Sequence, residues 1–420
     1  MTQIKEILQD LNPWWKEDFK LDFKNREIYA QIQKYMPMPQ IIAITGLRRV
    51  GKTTIMRKIA EDKIKEGFDP KSIIYFSFDD FRNTDIRQIM KEYEEMTEKN
   101  LRDGNYLLLL DEIQKLSNWE DKIKSIYDIF SKNIKIIISG SESLFIKKKS
   151  KETLAGRIFE FKVEPLSFRE FLDFKDVNYT PVGLYEKELL KLFNEFILTC
   201  GFPELIEIKE KEIIKKYTKE SIVEKIIYQD IPALFGVRDV SVLDSLLNIL
   251  MENPGQLVDF TDMSKDMNIS RQSLSNYMTY LEQSFLIRKV YNFSPNKRKT
   301  ERKLKKYYPV FSCTDILFKE DTMSKSQVFE SVIINQLKAE YFWRDSYKNE
   351  VDIILSGEKP IPIEIKYGKI NTKGLMAFMK KYNIDEGFIL SYKTEEKRII
   401  DGKTINIVPG YKYLLKEQIQ

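Results

Sequence analysis

The sequence predicts an α/β protein whose first half is built on a buried parallel sheet. Short apolar runs rich in isoleucine or leucine alternate with longer helical patterns, as they do where helices cover both faces of a parallel sheet. A glycine-containing loop follows the first run and leads directly into a helical pattern, which is the order of a strand–loop–helix unit. The predicted strands are Ile41–Thr45, Ile73–Phe78, Tyr106–Leu110, Ile134–Ser139 and Ile158–Val163.

Composition limits the chemistry that the chain can carry out. Its 420 residues suggest several domains of ~100–200 residues each. Histidine is absent, which excludes every site that depends on an imidazole. The two cysteines, Cys200 and Cys313, are too few for a disulfide framework or a cysteine zinc site. No apolar run approaches the ~20 residues of a bilayer-spanning helix, and the first residues lack a signal-peptide core. We therefore expect a cytoplasmic protein with no membrane partner.

The loop GLRRVGKTT matches the pattern G-x-x-x-x-G-K-[ST] at every fixed position. Backbone N–H groups of such a loop, together with the N-terminus of the next helix, attract phosphate. Lys52 would contact the β and γ phosphates, and Thr53 would offer its hydroxyl to Mg²⁺. We therefore expect ATP and Mg²⁺ as ligands. The residues expected to bind the nucleotide are Gly46, Leu47, Arg48, Arg49, Val50, Gly51, Lys52, Thr53 and Thr54.

The run YLLLLDE ends a buried strand with two acids. Asp111 would reach the magnesium ion, and Glu112 would polarise the attacking water. This interpretation requires a strand between the loop strand and the acid strand, and Ile73–Phe78 lies between the two motifs in the sequence. At the end of the following strand, Ser139, Ser141 and Glu142 are candidates for sensing the γ-phosphate, and a simple turn is the alternative for them.

These motifs occur together in a known family. GLRRVGKTT, LLLLDEIQ, IISGSES, LAGRIFEFKVEPLSFREF and GFPE stand in this order, and the chain resembles, over nearly its whole length, a widespread archaeal and bacterial family of AAA+-like P-loop ATPases. The two nucleotide motifs are shared by P-loop proteins in general, whereas LAGR…PLSFREF is much more specific to this family. The resemblance implies ATP binding, ATP hydrolysis and a multidomain ATPase. A homo-oligomer is compatible with it, and the subunit number stays open.

Arg157, in the LAGR motif, is the first candidate for an arginine finger. It would act on a γ-phosphate in the same or an adjacent subunit, where such an arginine contributes ~10³–10⁵ in rate. Arg48 and Arg49 are alternatives for this role. A surface ion pair is the competing interpretation of Arg157.

Five segments are predicted along the chain. A helical leader with the packing anchor Trp14 and Trp15 precedes the sheet, and a capping box of Ser167 and Glu170 starts the helix of the PLSFREF motif. The segments are an N-terminal helical leader (1–40), the P-loop ATPase core (41–180), a helical lid (181–240), a winged helix (241–315) and an α/β nuclease-like domain (316–420).

The predicted winged helix carries the residues expected to contact DNA. Its third helix would begin after Ser270, so that Arg271 and Gln272 lie where base edges and phosphates are contacted. The wing would contain the basic run Asn296–Lys306, which predicts salt-sensitive, sequence-tolerant binding. A protein–protein module with a solvated charged face is the alternative. The residues of the run assigned to nucleic acid are Lys297, Arg298, Lys299, Arg302 and Lys303.

The last segment resembles the PD-(D/E)XK nuclease fold, which family members often carry at the C-terminus. Glu330 stands in a helix, Asp352 in a hairpin, and Glu364 and Lys366 in an E-x-K strand. Asp352 and Glu364 would hold a divalent cation through oxygen ligands, Glu330 would add a ligand, and Lys366 would orient or deprotonate water. Val351 replaces the usual proline before the acid. Cleavage of DNA and a role in binding or assembly both stay open.

The sequence therefore predicts a Mg²⁺-dependent ATPase that acts on DNA. Two further functions are compatible with the same motifs. One is an ATP-dependent signalling switch that recruits protein partners, and the other is an ATP-regulated, metal-dependent nuclease.

Overall fold

A computed structural model describes residues 3–79, 81, 84–140, 152–237, 239–296, 298, 300, 303–312 and 315–416. The chain divides into two compact units, Met1–Glu164 and Pro165–Gln420. Within these described ranges, no helix is both long and apolar enough to cross a membrane.

The first unit is a five-stranded sheet with helices around it. Its strands are β1 (Ile41–Thr45), β2 (Ile73–Ser77), β3 (Tyr106–Asp111), β4 (Ile134–Gly140) and β5 (Ile158–Lys162). Its α-helices are α1 (Gln3–Leu11), α2 (Glu27–Tyr35), α3 (Lys52–Lys65), α4 (Ile86–Thr97) and α5 (Trp119–Phe130). Short 3₁₀ turns occupy Pro13–Trp15, Pro70–Ser72 and Ile113–Lys115.

The strand order is β2-β3-β4-β1-β5, and all four neighbouring pairs are parallel. The predicted α/β class, the parallel sheet and the five strand positions are therefore confirmed. The carboxyl ends of all five strands lie at one edge, where the loops that carry function in such sheets are found.

One predicted position in the sheet is wrong. The required strand between the loop strand and the acid strand is present, but it is β4 and not Ile73–Phe78, because β2 pairs with β3 on its outer side. The crossover through α5 returns the chain to the centre of the sheet, so β4 lies between β1 and β3. Order along the chain does not determine order in the sheet, because local periodicity contains no information about pairing partners.

The N-terminal leader covers the outer edge of β2. The Asn12 amide donates to the Leu8 and Tyr75 carbonyl oxygens at 2.7 and 2.9 Å, and its Oδ1 accepts the Tyr75 N–H at 2.7 Å. The indole N–H groups of Trp14 and Trp15 both donate to the Ile73 carbonyl oxygen. The predicted packing anchor is confirmed. An edge strand whose backbone groups are occupied in this way is protected against pairing with another chain.

The second unit begins with helices. The capping box of Ser167 and Glu170 is present at the start of α6 (Phe168–Phe174), which confirms that prediction. After it come α7 (Glu186–Thr199), α8 (Lys211–Lys216), α9 (Ile231–Phe235) and α10 (Val240–Glu252), with π-helical turns at Tyr217–Val223 and Ile226–Asp230. Short 3₁₀ turns occupy Val182–Leu184, Pro203–Leu205 and Asp315–Phe318.

A mixed sheet joins the middle of the second unit to its C-terminal part. Its strands are β6 (Gln256–Val258), β7 (Ile287–Asn292), β8 (Lys305–Pro309), β9 (Tyr341–Arg344) and β10 (Glu350–Val351), in the order β10-β9-β7-β8-β6. Helices α11 (Phe260–Asp266) and α12 (Arg271–Gln283) stand between β6 and β7. The segment predicted as a winged helix and the start of the predicted nuclease-like segment therefore share one sheet.

The C-terminal sheet has the order β11-β12-β13-β15-β14. Its strands are β11 (Ile353–Leu355), β12 (Ile361–Lys366), β13 (Glu386–Ser391), β14 (Glu396–Ile400) and β15 (Lys403–Pro409). The helices of this part are α13 (Thr322–Gln336), α14 (Lys373–Lys381) and α15 (Gly410–Leu415). Helix α13 packs against both β8 and β12, so it connects the two sheets of the second unit.

Replacing Asn12 by alanine should destabilise the first unit. Asn12 is fully buried, and its loss leaves the Tyr75 N–H and C=O without these partners. We expect a decrease of roughly 2–4 kcal/mol in local stability, from ~1–3 kcal/mol for each buried group left unsatisfied. Amide hydrogen exchange in the β2 peptide measures it. The exposed Asn248 is the matched control, and unchanged protection of β2 in Asn12→Ala would contradict the assignment.

Candidate functional site

The glycine-containing loop connects β1 to α3 and lies at the carboxyl edge of the first sheet. Gly46 has a φ of +143°, and a Cβ added there would lie 2.2 Å from the Val163 carbonyl oxygen. Gly51, with a φ of +96°, precedes the first residue of α3. Position 46 therefore accepts only glycine, because both the backbone angle and the neighbouring carbonyl exclude a side chain.

Lys52 lies within this loop and is buried. Its ammonium donates to the carbonyl oxygens of Gly46 at 3.1 Å and Leu47 at 2.8 Å, and lies 4.0 Å from Glu112 Oε1. The loop thus holds a cation beside the N-terminus of α3, whose unpaired N–H groups favour anions.

Asp111 ends β3 next to the loop, and hydroxyl groups from three different elements donate to it. Thr53 Oγ1 on α3 donates to Oδ2 at 2.6 Å, and Tyr75 Oη on β2 donates to the same oxygen at 2.8 Å. The Ser139 hydroxyl on β4 donates to Oδ1. The carboxylate is therefore fixed at the point where these elements meet.

The oxygen atoms of Thr53 and Asp111 fit a small, hard cation. Mg²⁺ prefers oxygen ligands and is usually held by one or two protein groups together with phosphate oxygens and water. A hydroxyl and a carboxylate already in contact beside a helix N-terminus provide such a pair. The structure brings the predicted magnesium ligands together, and metal binding itself stays a prediction.

Glu112 has an unusual backbone conformation, with a φ of +52°. Its N–H donates to Ser139 Oγ and to Asp111 Oδ1, both at 3.2 Å. Its carboxylate accepts the Gln114 amide at 2.5 Å and lies near Lys52. A non-glycine residue in this region of φ is uncommon and is often found where function constrains the backbone. Its predicted role as the base stays a prediction.

Tyr75 is a site residue that the sequence reasoning missed. Burial and the neighbouring Asp111 carboxylate both raise the pKa of Tyr75 above its usual range, so the phenol remains a hydrogen-bond donor. The Arg57 guanidinium lies 5.7 Å from the centre of its ring. The sequence contains one indication of this role, because Tyr75 carries a hydroxyl group in the middle of an apolar strand.

Arg26, in the leader, is a second residue that was missed. Its guanidinium donates to the Val50 carbonyl oxygen at 2.7 Å and to the Glu164 carbonyl oxygen at 2.8 Å, and the residue is buried. It connects the phosphate loop to the chain that follows β5. No motif in the sequence marks this residue.

Arg157 lies at the opposite edge of the sheet from the loop. Its carbonyl accepts the N–H of Ile41, the first residue of β1, whereas the loop follows the last residue of β1. The five-residue strand separates the two by roughly 16 Å, and the Arg157 guanidinium pairs with Asp128 at 3.0 Å. The structure places Arg157 far from the loop for a finger role within the same subunit, and it shows the predicted surface ion pair. A role in an adjacent subunit stays a prediction.

The remaining nucleotide candidates belong to the loop or lie at and after the end of β4 in the sequence. Arg48 is partly buried, and Arg49 is exposed with a φ of +66°. Ser139 is fully buried and bonded to Asp111, so it orients the acid. Ser141 and Glu142 lie outside the described residues.

The nucleic-acid candidates are only partly described. Arg271 and Gln272 are exposed at the start of α12, and Ser270 caps this helix by accepting the N–H of Ser273, as predicted. Arg298 is exposed, whereas the Lys303 ammonium donates to Asn292 Oδ1 of β7 at 3.3 Å. Lys297, Lys299 and Arg302 lie outside the described residues.

The predicted nuclease-like residues meet in the second unit. Asp352 Oδ2 accepts the Ile365 N–H at 2.8 Å, and the Lys366 ammonium donates to Glu364 Oε1 at 2.5 Å. Burial, and then the Asp352 charge, raise the pKa of Glu364 to about 8 although Lys366 opposes this. Glu330 Oε1 accepts the Tyr308 hydroxyl at 2.7 Å. Among the described residues, no group of three or more acidic or cysteine side chains is arranged to hold a metal ion.

Sequence comparisons agree with the architecture of the first unit. A sequence model of an AAA domain matches residues 38–172. Two domains of unknown function, DUF8612 and DUF4143, match residues 190–310 and 325–413. With the strand order and the loop geometry, the AAA match confirms a P-loop NTPase fold of the AAA+ type.

Three similar proteins are each described as an uncharacterized protein. The chain is 30% identical to the protein MJ1544 of Methanocaldococcus jannaschii, covering 95% of this chain and 93% of that protein. It is 27% identical to MJ1637 of the same organism, covering 90% and 86% of the two chains. A Haemophilus influenzae protein is 27% identical, covering 63% of this chain and 66% of that one.

Two solved structures are similar at low scores. One is Cdc6p from Pyrobaculum aerophilum, with a TM-score of 0.32 and 12% identity, covering 76% of this chain and 98% of that one. The other is AMPPCP-bound DnaA from Aquifex aeolicus, with a TM-score of 0.29 and 18% identity, covering 65% and 92%.

Replacing Gly46 by alanine should weaken nucleotide binding by roughly tenfold or more, because the loop must move away from Val163. Titration with a fluorescent ATP analogue measures the affinity. Gly67→Ala is the matched control, since Gly67 also has a positive φ, of +90°, but nothing lies within 4 Å of an added Cβ. Equal affinities of the two variants would show that the close approach at Gly46 does not shape the site.

Proposed function

The chain belongs to the family that includes MJ1544 of Methanocaldococcus jannaschii, and from that premise we propose that it is a Mg²⁺-dependent ATPase acting on DNA. In this proposal ATP binding and hydrolysis in the first unit change the conformation of the second. The AAA-domain match supports the ATPase class.

The contact between Thr53 and Asp111 carries the proposal. These two side chains come from motifs far apart in the sequence, and they meet at 2.6 Å beside the phosphate loop. A hydrogen bond with only a structural role would not require the loop geometry of Gly46, the buried Lys52 and the acid Glu112 around it. The hydrogen bond and these three features lie together where P-loop proteins bind a nucleoside triphosphate and its cation.

The residues of the site have distinct roles in this proposal. The loop N–H groups and Lys52 bind phosphate oxygens, and Lys52 exchanges the Gly46 and Leu47 carbonyl oxygens for them. Thr53 and Asp111 hold Mg²⁺, which when bound neutralises charge on the phosphates. Glu112 orients the attacking water and accepts its proton, as a general base does.

The second unit provides the proposed contact with DNA. Helices α10, α11 and α12 and strands β6, β7 and β8 follow one another in the order of a winged helix. We assign residues 181–240 to a lid, 241–315 to the winged helix and 316–420 to a nuclease-like domain. The exposed Arg271 and Gln272 at the start of α12 support binding to phosphates and base edges.

Two variants should separate nucleotide binding from hydrolysis. Lys52→Ala should lose ATP binding, because the phosphates lose their charged partner. Glu112→Gln should bind ATP but release phosphate roughly 10²–10⁴-fold more slowly, which is the usual contribution of a general base. Phosphate release in Mg²⁺ and in EDTA measures both effects.

Glu98→Gln is the matched control, because Glu98 is an exposed glutamate with a similarly positive φ of +56°. Undiminished phosphate release in Glu112→Gln would remove Glu112 from the mechanism. Persistence of the cellular function in Glu112→Gln but not in Lys52→Ala would favour a switch that needs only ATP binding.

Duplex or branched DNA should increase the rate of ATP hydrolysis at low salt. The increase should diminish as salt rises, because released counterions drive such binding. The double variant Arg271→Ala, Gln272→Ala should lose the stimulation, and Lys397→Ala, at an exposed lysine of β14, should keep it. Absence of stimulation by several DNA forms at low salt would remove DNA from the proposal and leave the ATPase.

A further inference from the structure

Lys306 places a positive charge inside the second unit. Its side chain is 6% exposed, although the sequence assigned it to the end of a basic wing. The ammonium lies 2.6 Å from Glu350 Oε1, 3.7 Å from Glu330 Oε1 and 3.9 Å from Asp352 Oδ1. A buried ammonium is stable only where carboxylates compensate for its lost hydration. Lys306 is therefore part of the acid cluster and not of an exposed DNA-binding surface, which corrects the extent of the predicted wing.

Strand β8 holds this charge in place. Lys306 lies opposite Val290 of β7 and Leu257 of β6, so its backbone is fixed from both sides of the ladder. Tyr308, two residues along, extends from the same face of the strand and donates to Glu330. Lys306 therefore extends to the acid cluster from a strand that has a neighbouring strand on each side.

A protein donor bonds to one oxygen of each carboxylate around the ammonium. Glu350 Oε2 accepts from Arg344 at 2.8 Å, and Asp352 Oδ2, Glu364 Oε1 and Glu330 Oε1 accept from Ile365, Lys366 and Tyr308. Among the described residues, Glu364 Oε2 is buried without a hydrogen-bond partner.

This arrangement does not fit a divalent cation. Mg²⁺ requires about six oxygen ligands and Ca²⁺ about six to eight, whereas each of the four carboxylates already accepts a hydrogen bond from a protein donor. A divalent ion bound between Asp352 and Glu364 would also lie close to the Lys306 ammonium, which repels it. The four acids, Glu330, Glu350, Asp352 and Glu364, already face the cations Lys306, Arg344 and Lys366.

We propose that the Lys306 ammonium takes the place of a divalent cation in this cluster. The cluster then binds neither Mg²⁺ nor Mn²⁺, and the second unit does not cleave phosphodiesters by metal-assisted hydrolysis. The lysine instead joins β8 to α13, β10 and the residue that follows β10 through one charge. The predicted metal ligands Asp352 and Glu364 become the counter-ions of Lys306 and Lys366.

Counting bound Mn²⁺ on the nucleotide-free full chain tests this proposal. Wild type and Glu364→Gln should bind the same number of ions, because the cluster holds none in either. Lys306→Met should bind an additional ion, which the double variant Lys306→Met, Glu364→Gln should lose. Ions bound at Asp111 are common to all four proteins and cancel in the comparison.

Two variants serve as controls. Lys305→Met removes the same charge from the adjacent residue, on the opposite face of β8, and should not create a binding site. Lys306→Arg keeps the charge and should behave as wild type. In thermal melts, Mn²⁺ should raise the midpoint of Lys306→Met more than that of wild type.

Two results would overturn the proposal. One is a wild-type protein that binds more Mn²⁺ than Glu364→Gln, since the cluster would then hold metal with Lys306 in place. The other is a folded Lys306→Met that gains no ion. Should Lys306→Met not fold, the comparison of wild type with Glu364→Gln decides alone: equal counts support the proposal and a lower count in the variant refutes it.

Discussion

The first unit depends on how the Asp111 carboxylate is held. A buried acid is stable only when hydrogen bonds or charges replace its lost water, and here Thr53, Tyr75 and Ser139 donate to it. These residues lie on α3, β2 and β4, which surround β3. Satisfying one carboxylate therefore places a helix and two strands around it, and the phosphate loop acquires its position from the same helix.

The two acidic sites of the chain are compensated in different ways. At Asp111 the donors are hydroxyl groups, which carry no charge, so hydrogen bonds and not an ion pair satisfy this carboxylate. In the second unit Lys306 supplies the positive charge directly, and the acids around it no longer require an external ion. Under the two proposals, the same kind of side chain holds a metal ion in the first unit and pairs with a lysine in the second. The type of donor around it distinguishes the two.

Local patterns predicted the elements well and their arrangement less well. The five strands, the capping box at Ser167 and the cap at Ser270 follow from residues that are near each other in the chain. The central place of β4, the hydroxyl of Tyr75 and the guanidinium of Arg26 depend on contacts between distant segments, for which the sequence has no local signal. Arg157 shows the converse case, because it follows the predicted γ-phosphate-sensing residues in the chain, whereas strand direction places it at the other edge of the sheet from the phosphate loop. In the sequence Lys306 is one of several cations in a basic run. Only its burial in the structure distinguishes it from the other cations of that run that the structure describes.

The leader affects where a fragment of the first unit can be cut without losing contacts that stabilise it. The matched AAA domain begins at residue 38, so a fragment cut at that point would retain the whole phosphate loop, Asp111 and Glu112. It would lose Arg26, which donates to a carbonyl oxygen of the loop. It would also lose Asn12, which bonds to the N–H and C=O groups of Tyr75 in β2. The outer strand would then present free N–H and C=O groups to any other chain, and such edges promote aggregation. A fragment that keeps these contacts therefore includes the leader, even though none of the nucleotide-binding motifs lies within it.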